Sequence, residues 1–167
     1  MAAPPLAGLH HLKVPAADLT HLDWYQRVFD ASHVPGLDHV DSKGTRYAAI
    51  LEIPSVPVPL ELRWAPAAAE ALRECDILVL AVDSADELAQ WVPHLDTLDV
   101  THSPILTGGD GPVLVMANPD GKFIRLMVAP PEGVSAQTLC GAPSDPEGPW
   151  LNPISMQHPR PPRPVTP

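Results

Sequence analysis

The chain has 167 residues and a formal net charge of −10, from 10 Lys and Arg against 20 Asp and Glu, with a sequence pI near 5.0. Its basic residues are scattered, which leaves no electrostatic footprint for nucleic acid or for an anionic membrane. No apolar run approaches the roughly 20 residues that span a bilayer, and Met1 to Leu9 lacks the basic region and apolar stretch of a secretory signal, so a soluble, cytoplasmic protein is expected.

Such a length suits one compact domain, or two half-domains sharing a core, followed by a tail. Leu9 to Val14 reads as a strand. After a loop to Asp18, Leu19, Leu22, Tyr25, Val28 and Phe29 recur at helical spacing and predict a helix over Leu19 to Asp30. A turn-rich stretch around Pro35 and Gly36 follows, then strand-like Arg46 to Ile53 and Leu60 to Trp64. Ile77 to Val82 is again a strand. Ser84 with Glu87 three residues on forms a capping box that opens a second helix, whose apolar side carries Leu88, Trp91, Leu95 and Leu98. Pro93 inside it removes a backbone donor and is expected to kink the helix or shift its start. Strand Val113 to Met116, the turn Asn118-Pro119-Asp120-Gly121 and strand Lys122 to Val128 complete the second half.

From Pro130 onward the composition changes to proline at short intervals with few branched apolar residues, which neither pairs in a ladder nor fills a core. This tail, residues 130–167, is expected to be disordered or laid over the surface, pinned by Trp150, Leu151 and Ile154; a Pro-rich docking peptide is the alternative. Cys75 and Cys140 lack metal spacing and read as ordinary thiols.

The two halves repeat. Asp83 stands 65 residues after Asp18, Asp76 stands 65 after His11, and Arg125 stands 64 after Glu61. Near-constant offsets argue for internal duplication of a strand, helix and three-strand unit.

The opening His11-Leu12-Lys13-Val14, Asp18-Leu19, Trp24-Tyr25 and Val28-Phe29, with the closing run from Asn118 to Leu126, resembles the vicinal oxygen chelate superfamily, which includes glyoxalases, bleomycin-resistance proteins and extradiol dioxygenases. The resemblance implies an α+β fold of two βαβββ modules, about residues 8–66 and 74–129 within a domain 1–129, jointly forming a cup-shaped mixed sheet. It also implies a small-molecule ligand inside the cup and a homodimer.

Four inward positions, which hold a divalent metal in many relatives, fall by this resemblance on His11, Glu61, Asp76 and Arg125. This sequence departs from the pattern. Metal-binding members usually carry a second His where Asp76 stands and a carboxylate where Arg125 stands, and an arginine cannot ligate a metal. The expectation is therefore a site without a metal cofactor, with a three-ligand set of His11, Glu61 and Asp76 as the residual alternative.

If those four point inward, strand alternation puts Lys13, Arg63, Leu78, Leu80, Phe123 and Met127 on the same face. Lys13, Arg63, Leu78, Phe123 and Met127 are then candidate substrate contacts. His11, Glu61, Asp76 and Arg125 are the candidate catalytic residues, with cations holding a carboxylate or enolate while a carboxylate or His11 moves a proton. The structural alternative is a closed salt-bridge network of Glu61 and Asp76 with Arg125 and Arg63. Trp24, Tyr25 and Trp91 read as core, Trp64 as a cap on the cavity mouth, Asp18 and Asp83 as helix caps, and His10 as facing the helix side. The remaining histidines show no paired spacing. Gly108-Gly109-Asp110-Gly111 reads as a hairpin tip, and no phosphate loop follows a strand, so no nucleotide cofactor is implied.

Three functions follow. One is an acid/base enzyme of isomerase, epimerase or lyase type on an organic acid or aromatic metabolite. Another is a drug- or metabolite-sequestering protein of the bleomycin-resistance type. A metal-dependent lyase or dioxygenase is the third.

Overall fold

Strand β1 (Leu12–Ala16) forms because Val14 and Ala16 alternate inward and are buried, and it accepts Pro15 because it lies at the end of its sheet and pairs on one side only. It begins at Leu12 rather than at Leu9: Leu9 is 65% exposed, Gly8 before it takes φ 128, and the first bond to the sheet is from Leu12 N–H to the Pro59 carbonyl. These details come from a computed structural model that describes residues 3–108 and 111–131. The predicted tail beyond residue 131, with Cys140, Trp150, Leu151 and Ile154, lies outside the described residues.

After β1, Asp18 caps a 3-10 turn (Leu19–His21) by accepting from Thr20 N–H at 2.8 Å. Helix α1 (Leu22–Phe29) then buries Leu22, Trp24, Tyr25, Val28 and Phe29, and Asp30 ends it in the left-handed region at φ 52. Short strands β2 (Ser32–His33) and β3 (His39–Val40) lie along one side of β4 (Arg46–Glu52), and β5 (Leu60–Trp64) lies along the other. β5 runs parallel to β1, giving the order β1-β5-β4-β2. Helix α2 (Pro66–Ala71) was not predicted. Its proline falls on the first turn, where no donor is needed, and its alanines carry the highest helix propensity.

The second half repeats the wiring: β6 (Asp76–Val82), α3 (Ala85–Thr97), β7 (Leu106–Gly108), β8 (Gly111–Ala117) and β9 (Phe123–Val128), in the order β6-β9-β8-β7 with β6 parallel to β9. The capping box is in place, Ser84 Oγ accepting from Glu87 N–H at 3.1 Å while Glu87 Oε2 accepts from Asp83 N–H at 2.9 Å. Pro93 does not shift the helix start, and α3 continues through it to Thr97. Leu88 and Leu95 of α3 are fully buried, as are Leu114, Met116 and Ile124 on the sheet. The fold is therefore α+β, two mixed sheets each wired βαβββ, and the chain divides between Ala71 and Leu72 into two compact units.

Gly108 and Gly111, the two ends of the predicted hairpin tip, pair across β7 and β8. At the β8–β9 turn, Asn118 Oδ1 accepts from Asp120 and Lys122 N–H, and Gly121 takes φ 73. A Cβ there would also stand 2.7 Å from Arg73 Nη1, so the arginine must move aside. Gly121→Ala is expected to cost about 1–2 kcal/mol, the usual penalty for a side chain in the left-handed region, read as a lower urea midpoint at unchanged slope.

Candidate functional site

In the first unit the site is a buried carboxylate ringed by bases. The register pairs Lys13 with Glu61, Ile50 with Glu61, Ala48 with Arg63 and His39 with Ala48, which puts Lys13, Glu61, Arg63 and His39 on one face of the sheet. The opposite face carries Val14, Leu60 and Leu62, all buried with α1.

Glu61 is 1% exposed. Arg63 Nε donates to its Oε1 at 2.6 Å, and His39 Nδ1 stands 3.9 Å from the same oxygen. His11 Nε2 lies 3.2 Å and Lys13 Nζ 3.4 Å from Oε2. His11 Nε2 is close enough for an ion pair but is not aligned for a hydrogen bond. Its other ring nitrogen, Nδ1, lies 2.8 Å from Nδ1 of His10, so one of the two must carry the proton. The arrangement without repulsion has His10 donating and His11 protonated at Nε2, which faces the carboxylate.

Burial pushes the Glu61 carboxyl up, but the hydrogen bonds and charges of Arg63 and Lys13 outweigh it and hold the group below its ordinary value. Asp38 behaves the same way: burial raises it, and donation from Ile50 N–H, His33 and Arg46 brings it below the usual carboxylate range. A carboxyl whose folded value is depressed adds stability that is complete above its unfolded value and lost as pH falls through the folded one. The urea midpoint is thus expected to fall between pH 5 and pH 3, and this acid limb flattens in Glu61→Gln and Asp38→Asn.

The second unit holds Asp76 and Arg125 as a bidentate pair, Nε to Oδ1 at 2.8 Å and Nη2 to Oδ2 at 2.9 Å. Each inward carboxylate thus pairs with a cation of its own unit. The pairing anticipated as the structural alternative is present at both. Phe123 and Met127 share the Arg125 face, where they pack with Leu106, Val113 and Val115 in an apolar cluster.

Leu78 and Leu80 do not share that face. A register shift between Asp76 and Leu78 sets Leu78 opposite Ile124 and Leu80 opposite Leu126, while Val79 falls opposite Arg125. One extra residue in the strand flips every later side chain, and Val79, 53% exposed, takes the position expected of a leucine. Trp64 pairs with Ala16 and points to the face opposite Arg63, where it is exposed, so it does not cap the Glu61 face. His10 is exposed, with its Nδ1 against that of His11.

His39 and Tyr47 join the site without having been singled out in the sequence. Arg63 lies over the Tyr47 ring, its guanidinium carbon 4.9 Å from the ring centre, and Nη2 is 3.5 Å from His39 Nδ1. His39 reaches Arg63 from a two-residue strand with a shifted register, which no alternation rule would have marked, and Tyr47 from the start of β4.

His11, Glu61, Asp76 and Arg125, the residues that the resemblance set at metal-holding positions, do not suit a metal. Arg125 occupies both Asp76 oxygens, and cations sit on both oxygens of Glu61, so a divalent ion would meet no carboxylate free of a positive neighbour. Among the described residues, no three His, Cys, Asp or Glu are grouped to ligate.

The fold defined by these two βαβββ units is that of the vicinal oxygen chelate proteins. The chain is similar to the fosfomycin resistance protein FosX from Listeria monocytogenes, with 16% identity and TM-score 0.57 over 77% of this chain and 98% of that one. It is likewise similar to FosX from Mesorhizobium loti, with 14% identity and TM-score 0.53 over 77% and 96% of the two chains. A glyoxylase/bleomycin resistance protein/dioxygenase domain from Frankia sp. EAN1pec gives 19% identity and TM-score 0.60 over 74% and 98%. At these identities the likeness concerns the fold. A mutant of the Listeria protein was solved with Mn(II) and 1S,2S-dihydroxypropylphosphonic acid. No family model matches the sequence. No curated protein matches it. No helix among the described residues is long and apolar enough to cross a membrane.

Proposed function

We propose that the chain is a small-molecule enzyme working by metal-free acid/base chemistry, of isomerase, epimerase or lyase type, on an organic acid or aromatic metabolite. The observation that carries this reading is the His11–Glu61 contact: an imidazole at 3.2 Å from an almost fully buried carboxylate that Arg63 and Lys13 keep ionised. His11 takes a proton from the substrate at Nδ1, displacing the exposed His10, and the imidazolium that forms is stabilised by Glu61 at Nε2. Lys13 and Arg63 bind the substrate. Asp76 and Arg125, already closed on one another within the second unit, are not assigned as acid and base.

The test is incubation of the purified full chain with a panel of carboxylic and aromatic acids in D2O containing EDTA, followed by NMR. One compound exchanging a C–H for deuterium, or converting, and failing to do so with His11→Ala supports the reading. A compound that binds tightly and is recovered unchanged favours the sequestering alternative, of the kind named in the Frankia domain. A cytoplasmic homodimer belongs to the same proposal, and light scattering on the purified protein tests the dimer.

A further inference from the structure

Arg63 is gripped on one edge and one plane and left open on another edge. Its Nε donates to Glu61 Oε1 at 2.6 Å, its plane stands over Tyr47 at 4.9 Å, and Nη2 approaches His39 Nδ1 at 3.5 Å. His39 in turn leans on Tyr47, with ring centres 5.8 Å apart. These contacts leave Nη1 and the outer proton of Nη2, the end-on edge of the fork, for another acceptor. Lys13 Nζ, on a side chain 52% exposed, spends itself on Glu61 alone at 3.4 Å.

Charge points the same way. Lys13, Arg63, His11 and His39 all lie against Glu61, so the single negative charge of that carboxylate is shared among several basic partners. A guanidinium already oriented by a ring and a carboxylate loses little freedom when it takes a ligand.

We propose that the end-on edge of Arg63, with Lys13 Nζ, is an oxyanion anchor for a carboxylate- or phosphate-type group of the ligand, and that Tyr47 and His39 are the positioning residues that fix its plane. The inference rests on the small-molecule reading above and adds to it the charged group of the ligand. Glu61 then has two roles, orienting Arg63 and setting how strongly an incoming anion is held. Tyr47 acts through its ring, so its hydroxyl is dispensable.

The test is titration of the full chain, in EDTA, with inorganic phosphate and separately with benzoate, following the Arg Nε–H and imidazole resonances by NMR. Saturable shifts at Arg63 and His39 with either anion are expected, and the tighter of the two identifies a tetrahedral or a planar group. Arg63→Lys is expected to weaken binding at least about 10-fold by losing the fork, and Lys13→Gln severalfold. Tyr47→Phe retains the affinity while Tyr47→Leu loses about 2- to 5-fold. Glu61→Gln strengthens binding, because a competing negative charge is gone. The anchor is overturned if neither anion shifts these resonances, if Glu61→Gln abolishes anion binding, or if Tyr47→Leu binds as well as Tyr47→Phe. Anion binding with no acid turned over would leave the anchor standing and remove the catalytic proposal.

Discussion

Asp120→Ala is expected to destabilise the protein by about 3–5 kcal/mol, the cost of leaving a buried charge without its partner. Lys122 is fully buried and its Nζ donates to Asp120 Oδ2 at 2.8 Å, with Asp120 itself 6% exposed. The pair sits inside the turn that joins β8 to β9, where Asn118 holds the backbone N–H of both residues. Truncating the carboxylate strands a buried ammonium, so the loss is expected to be far above that of a surface pair. Lys122→Met in the same background is expected to recover most of the stability, since an apolar chain of similar length fills the space without a charge. A double-mutant cycle in urea separates the two effects. A loss below about 1 kcal/mol for Asp120→Ala would mean that Lys122 reaches solvent and that the pair resembles an exposed one.

His11→Ala is expected to lower turnover by about 10²- to 10⁴-fold while substrate affinity changes little, the pattern of a general base that is not a binding group. The imidazole is placed by two contacts, Glu61 at 3.2 Å on Nε2 and His10 at 2.8 Å on Nδ1. Only the first persists when Nδ1 takes a proton, and that contact strengthens because the ring becomes cationic beside a carboxylate. Glu61→Gln should therefore retain the ring's position but lose most of the rate. Steady-state kinetics across pH on the two variants checks this. An unchanged rate in His11→Ala would assign the proton transfer elsewhere.

Much of this architecture was legible in the residues, and the places where reading failed have a physical cause. Leu60 to Trp64 was bounded correctly because apolar residues alternate with Glu61 and Arg63 and Pro59 stops the strand. Ser84 and Glu87 marked the start of α3 because capping is local chemistry. The 65-residue repeat placed His11 and Asp76 at matching positions, and the two sheets indeed share their wiring. Alternation failed at Leu78, since the register shift after Asp76 adds a residue that carries no signature of its own. His39 escaped notice because it sits on a two-residue strand whose pairing is tertiary, and Tyr47 because its contact with Arg63 runs between neighbouring strands β4 and β5. The ion pairs were legible as a set of partners but not in their pairing, which only the register decides.

A mutant of the Listeria protein, similar in fold, was solved with Mn(II); in this chain guanidinium and ammonium groups sit on the carboxylate oxygens of Glu61 and Asp76.

The most direct measurement of the central claim is a titration of the full chain with Mn(II), followed by electron paramagnetic resonance of the free ion. The built-in cations predict no stoichiometric binding, with the free Mn(II) signal tracking the amount added and with the same trace in Glu61→Gln. One Mn(II) taken up per chain, and lost in His11→Ala and Glu61→Gln, would contradict the metal-free account.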